Sequence, residues 1–156
     1  MEGSIMDDRA FLVYSERVVA CFHELAVRIG AREPRFRGRV GSAPGTCAYP
    51  LSVYLSFWSG DPQADETLVL SLQVWHGGGE YVCGCDVLVD NRDVVAEAPS
   101  RALSERSVGV VREWLDVVVS EMIAWALAQE DAMVAVLQRA GDALFGADAR
   151  GAGGEV

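Results

Sequence analysis

The sequence predicts an α+β fold: an antiparallel β-meander of three to four strands, flanked by an N-terminal helix and a long C-terminal helical segment packed on one face. Three observations lead there. Apolar residues recur at helical spacing between Asp7 and Ile29. They then alternate with polar residues, at a period of two, in successive runs between Leu51 and Val89. From Arg101 to Phe145 the helical spacing returns, with no proline to interrupt it. Each strand offers one aliphatic face and each helix one apolar stripe, and burying these against each other sets a helix layer on a sheet.

In the first helix the stripe is Phe11, Tyr14, Val18, Phe22, Leu25 and Ile29, with Glu16 and Glu24 opposite. Asp7 or Asp8 is placed to cap it and Gly30 to end it. Residues 31–50 form an Arg-, Gly- and Pro-rich connection with room for a short edge strand around Arg35 to Val40. Pro44-Gly45 signals a turn and Pro50 a strand entry. Leu51, Val53, Leu55 and Phe57 then point one way, and Ser52, Tyr54, Ser56 and Trp58 the other. After a polar loop, Leu68, Leu70, Leu72 and Val74 repeat the pattern opposite Val69, Ser71, Gln73 and Trp75.

Gly77-Gly78-Gly79 turns the chain into a strand with Tyr81, Cys83, Cys85, Val87 and Val89 on one face. Residues 90–93 are a further turn, and Val94 to Glu97 a short returning strand. Pro99 and Ser100 lead into the C-terminal segment. Its seam is Val108, Val111, Leu115, Val118, Met122 and Trp125, continued beyond Gln129 by Ala132 and Val136. As one helix the segment would measure about 67 Å, whereas a domain of this chain length is roughly 40 Å across. It must therefore break near Gln129 to Asp131, bend, or reach a second subunit. One domain is expected over residues 7–146, after a flexible lead-in at 1–6 and before a disordered tail at 147–156. Helix–sheet–helix layouts of this size occur among immunity proteins, secretion chaperones and frataxin-like proteins, but the chain carries no motif of these.

At 156 residues, 51% apolar and 23% charged, the chain has a globular composition and is long enough to bury its own core. No apolar run approaches the length of a membrane span, and the acidic N-terminus is unlike a secretory signal; a cytoplasmic location is expected. The formal charge is −10, and all 13 positive charges are arginines. That lysine-free composition suggests a GC-rich, bacterial genome. Net acidity disfavours nucleic acid and anionic membranes and suits a basic protein partner. Cys21, Cys47, Cys83 and Cys85 are too few and too irregular for a disulfide scaffold, so reduced thiols are expected.

Candidate chemistry is sparse. Cys83 and Cys85 share a strand face and present two thiols to one side; with His76, or with Cys21 or His23, they would make a candidate metal site. The competing reading makes them small buried hydrophobes in register with Val87 and Val89. The glycines after His76 lack the G-x-S-x-G elbow that an esterase needs, and the glycines of Gly38 to Thr46 lack the lysine of a phosphate loop. Asp86, Asp90 and Asp93 cluster around a turn, where such residues are favoured anyway. Arg28, Arg32, Arg35, Arg37 and Arg39 form a local excess of positive charge. Arg35, Arg37 and Arg39 are the anion-binding candidates, with nucleic acid as one such anion, against the alternative that they pair with this chain's own acids.

Tyr54, Trp58 and Trp75 carry the strongest signal. They are interleaved with serines and glutamine on the sheet face turned away from the helices, where aromatics anchor interfaces. With Asp61, Asp65 and Glu66 nearby they form the candidate partner-binding patch. The expected function is therefore an accessory, protein-binding role: an immunity-type inhibitor, chaperone or adaptor, homodimeric through the C-terminal helix. No catalytic residue and no cofactor is called for. The alternative is a small-ligand or metal-binding protein, enzymatic or not, using Cys83, Cys85 and His76.

Overall fold

A computed structural model describes residues 2–43, 48–60 and 66–146. Helix α1 spans Glu2–Arg32. It is followed by strands β1 (Arg37–Ser42), β2 (Leu51–Trp58), β3 (Leu68–Gly77), β4 (Glu80–Val89), β5 (Asp93–Glu97) and β6 (Arg101–Ser104). A 3-10 turn at Glu105–Val110 leads into helices α2 (Val111–Ala128) and α3 (Glu130–Phe145). All strand pairs are antiparallel, in the order β1-β2-β3-β4-β5, and β6 also pairs with β4. The α+β class is as expected. The helix takes in residues 2–6 and runs past Gly30, and the sheet is larger than the sequence suggests.

The extra strands come from the edges. β1 occupies the space foreseen for a short edge strand. β6 takes the first residues expected to be helical, because Pro99 delays the helix and the free edge of β4 offers hydrogen bonds to Arg101–Ser104. The Glu105 N–H, at 3.0 Å, donates to the Gly79 carbonyl and ties the end of β6 to the β3–β4 hairpin. That hairpin needs Gly78 and Gly79, whose φ values of 62° and 81° belong to the left-handed region.

The sheet's inner face is apolar throughout its centre. Leu51, Val53, Leu55, Phe57, Leu68, Leu70, Leu72, Val74, Cys83, Cys85 and Val87 are all buried. α1 covers β1 and β2, α2 covers β4 and β6, and α3 reaches β3 and α1. The buried residues of α1 follow the expected stripe: Phe11, Val18, Phe22, Leu25 and Ile29. Burying side chains of this size contributes about 1.5–3 kcal/mol each, so the inner face and its helices dominate the stability.

The C-terminal segment breaks at Gln129, whose N–H bonds back to the Ala126 carbonyl at 3.0 Å. Before the break the buried stripe is Val111, Leu115, Val118, Val119, Met122, Ile123 and Ala126. After it the stripe is Met133, Val134, Leu137 and Gly141. Ala132 is exposed and Val136 half-buried, so they do not continue the seam. The break turns the larger Met133 and Leu137 inward in their place. It also lays α3 against its own domain, so helix length no longer calls for a second copy. Arg28 and Arg32, at the C-terminal end of α1, ion-pair with Glu130, and Arg32 also with Asp131. Both acids stand in the first turn of α3, so each charge faces the favourable end of a helix dipole.

Candidate partner-binding face

The strand registers place every outward residue. Across the outer face, Arg39 stands beside Ser56, Val69 and Leu88, and Gly41 beside Tyr54, Ser71, Asp86 and Glu97. Ser52, Gln73 and Gly84 make the next row, and Trp75, Val82 and Ala102 the one after. Arginines thus border the face at β1 and carboxylates border it at β4 and β5, with aromatics, serines and glutamine between. None of the three described helices packs on this side; all three lie on the inner face.

Tyr54, Trp58 and Trp75 do not form one patch. Trp58 stands opposite Thr67, one residue beyond the last pair between β2 and β3, and Trp75 lies eight residues farther along β3. At about 3.4 Å per residue that is roughly 27 Å. Trp58 is half-buried, and the Arg39 guanidinium lies 5.5 Å from its ring centroid, a cation–π contact made within the chain. Tyr54, also half-buried, lies over Gly41, where a Cβ would come within 2.4 Å of its ring. Ser56 and Val69, between these residues and β4, are buried, and the Ser56 hydroxyl has no hydrogen-bond partner among the described residues. Glu66 sits at the Trp58 end of the sheet; Asp61 and Asp65 lie outside the described residues.

Trp75 is different: it is 40% exposed. Beside it opens a cavity of about 300 Å³, lined by Ser71, Gln73 and Trp75 from β3, by Val82, Gly84, Cys85 and Asp86 from β4, and by Glu97 and Ser100 from the edge. Two local features make this hollow. Gly84 contributes no side chain, and a Cβ built there would meet nothing within 4 Å. Opposite it the edge is interrupted: Asp86 pairs with Glu97 and Cys83 with Arg101. Gly84 and Cys85 therefore face the three residues Ala98, Pro99 and Ser100, a bulge between β5 and β6. The Asp86 carboxyl is held above its ordinary range, first by burial and then by the nearby Glu97 charge. Among the described residues, neither carboxylate has an ion pair or a side-chain hydrogen bond.

The remaining candidate residues are engaged elsewhere. Cys83 and Cys85 are in the core, where burial pushes the Cys83 thiol up to about 12 and the Cys85 thiol higher still. Neither is a ready thiolate for metal or nucleophilic chemistry. His76 is half-buried rather than at an exposed hairpin tip: its ring stacks on Tyr81 at 4.3 Å and its Nε2 lies 3.0 Å from Glu105 Oε2. Tyr81 itself is buried against Phe11. Among the described residues no three His, Cys, Asp or Glu side chains group as metal ligands do. Cys47 lies outside the described residues, and Cys21 and His23 belong to α1.

Arg35 is also spoken for. Its guanidinium, 11% exposed, makes two hydrogen bonds to the buried Glu33, at 2.8 and 2.9 Å, and one to Asp142 at 3.2 Å. Those bonds raise its already high pKa. Arg28 and Arg32 are paired as described above, which leaves Arg37 and Arg39 on the exposed β1 edge. No described helix is long and apolar enough to cross a membrane.

Sequence reasoning missed Asp86 and Glu97 as a pair, because register across a bulge brings them together. A signal was present in Gly84: a glycine in mid-strand weakens the strand unless the space it leaves is used.

Comparison with protein-family models, curated proteins and solved structures finds no match.

Proposed function

We propose that this chain is an accessory protein that binds a basic protein partner on the outer face of its sheet, as an immunity-type inhibitor, chaperone or adaptor does. One observation carries the reading. A six-stranded sheet is covered by the described helices on one side, and its other side presents an exposed tryptophan beside two carboxylates that have no cation partner among the described residues. Solvent-facing tryptophan is costly to leave wet and is the residue type most enriched at interface anchors. The net charge of −10 supplies the complementary long-range attraction.

Metal or small-ligand binding through Cys83, Cys85 and His76 gains nothing from their placement in and beside the core. A homodimer through the C-terminal helices loses its geometric motive with the break at Gln129, and sedimentation equilibrium decides it directly.

The test is site-specific photo-cross-linking in the source cells, with a benzophenone side chain at Gln73 on the outer face or at Val27 on the exposed side of α1. Both positions are exposed. A discrete adduct from Gln73 and none from Val27 supports the reading, and mass spectrometry then names the partner. With that partner purified, Trp75→Ala should weaken binding at least tenfold while the far-ultraviolet circular dichroism stays unchanged. An adduct from Val27 alone places the interface on the helices and refutes the proposal.

A further inference from the structure

We infer that the cavity beside Trp75 is a socket for one arginine side chain of the protein partner; this rests on the outer face being the docking surface. The cavity has the parts that such a side chain needs. Trp75 and Val82 give apolar walls for the aliphatic stem and, on the indole, a face for the guanidinium. Asp86 and Glu97, adjacent across β4 and β5, offer four carboxylate oxygens to its five N–H groups. Gln73 adds an amide carbonyl.

At about 300 Å³ the hollow is at the lower limit of small-molecule pockets and accepts a single large side chain. Gly84 marks it as kept open. Its backbone conformation is ordinary and a Cβ there would touch nothing, so neither strain nor crowding accounts for a glycine in mid-strand. Space for an incoming group does account for it.

Other cations fit less well. Among the described residues a divalent metal would find two carboxylates and no third acidic, histidine or cysteine ligand grouped with them. Free arginine would bring an α-carboxylate, and no cationic side chain among the described residues lines the cavity to receive it. An arginine within a peptide carries no such charge.

The experiment is a fluorescence and NMR titration of the whole protein, followed through the Trp75 indole. The probes are N-acetyl-arginine-methylamide, its citrulline counterpart and free L-arginine. The capped arginine should give a saturable change, at least tenfold tighter than capped citrulline, and tighter than free arginine. Gly84→Leu, which fills the hollow from a site with room for it, should abolish the change, as should Asp86→Asn combined with Glu97→Gln. Equal binding of citrulline, or full binding by Gly84→Leu, overturns the socket. Tighter binding of free arginine overturns the peptide-borne origin and makes the cavity a metabolite site.

The two readings fail separately. If the partner cross-links at Gln73 and binds Gly84→Leu as tightly as wild type, the socket falls and the docking face stands. If the capped arginine binds as expected but only Val27 cross-links, the face falls as a protein interface and takes the partner's arginine with it.

Discussion

Asp86 and Glu97 are like charges placed directly opposite each other, an arrangement that costs stability unless a cation answers it. Folding raises the Asp86 pKa, so the folded chain holds that proton to a higher pH than the unfolded chain does. Across this window stability falls as pH rises, beginning near the ordinary value of 3.8. Asp86→Asn should therefore stabilise the unliganded protein at pH 7 by a few tenths to about 1 kcal/mol, or about 1–4 °C in Tm. The gain should disappear in acid, where the wild-type carboxyl is already neutral, and thermal melts of both proteins between pH 3 and pH 8 check it. A second residue-scale expectation concerns the thiols. Brief native treatment with iodoacetamide should leave Cys83 and Cys85 unmodified and label the half-buried Cys21, as read by peptide mass spectrometry. The face to which each strand residue points was legible from period-two alternation, and so were Trp75 and Gln73 as outward residues. The pocket was not, because Asp86 in the sequence stands next to a turn and Glu97 eleven positions away. Only the register shift between Val87 and Leu88, where Val95 is the extra residue, sets the pairing that unites them.

At the scale of elements, the short link between α1 and β1 works as a clamp. Glu33 is buried, and Arg35 reaches from it to Asp142 on α3, so one guanidinium joins the end of the first helix to the last. Arg35→Met removes two charge-assisted hydrogen bonds to the buried Glu33 and one to Asp142 and should destabilise the fold by about 2–4 kcal/mol, measured by urea unfolding. Gly141→Ala attacks the same clamp from α3. Its Cβ would come within 2.5 Å of the Arg35 guanidinium, and the displaced arginine should cost about 1–3 kcal/mol even though alanine favours the helix. The sequence showed five arginines but not their partners, since Glu130, Asp131 and Asp142 lie about a hundred positions away. Helical spacing likewise revealed α1 and the inward stripe of α2, whereas β6 needed the open edge of β4 to become a strand. The break at Gln129 stood among three alternatives that periodicity alone does not separate.

For the whole molecule, the charge layout predicts how association responds to salt. Arginines stand along β1 and carboxylates along β4 and β5, so a partner meets a face with direction, not a uniformly acidic surface. The rate of binding should fall several-fold from low to physiological ionic strength while dissociation changes little, as stopped-flow or surface plasmon resonance measures. A partner held mainly by the apolar face of Trp75 would show the reverse, with salt-insensitive arrival and a dissociation rate sensitive to Trp75→Ala.

The packing of α1 against both the sheet and the C-terminal helices has a consequence for synthesis. Tyr14 bonds to Asp116, Arg17 to Ser120 and Arg32 to Glu130, separations of 102, 103 and 98 residues. At about 5–20 residues per second on the ribosome, α1 emerges roughly 5–20 s before the surface that completes its burial. During that interval Phe11, Val18 and Phe22 have only the growing meander to lie on. A chain stalled before α2 would expose greasy helix to quality-control machinery, whereas a finished chain closes in a single step once α2 and α3 arrive. The last elements made are thus the ones that release the first from supervision.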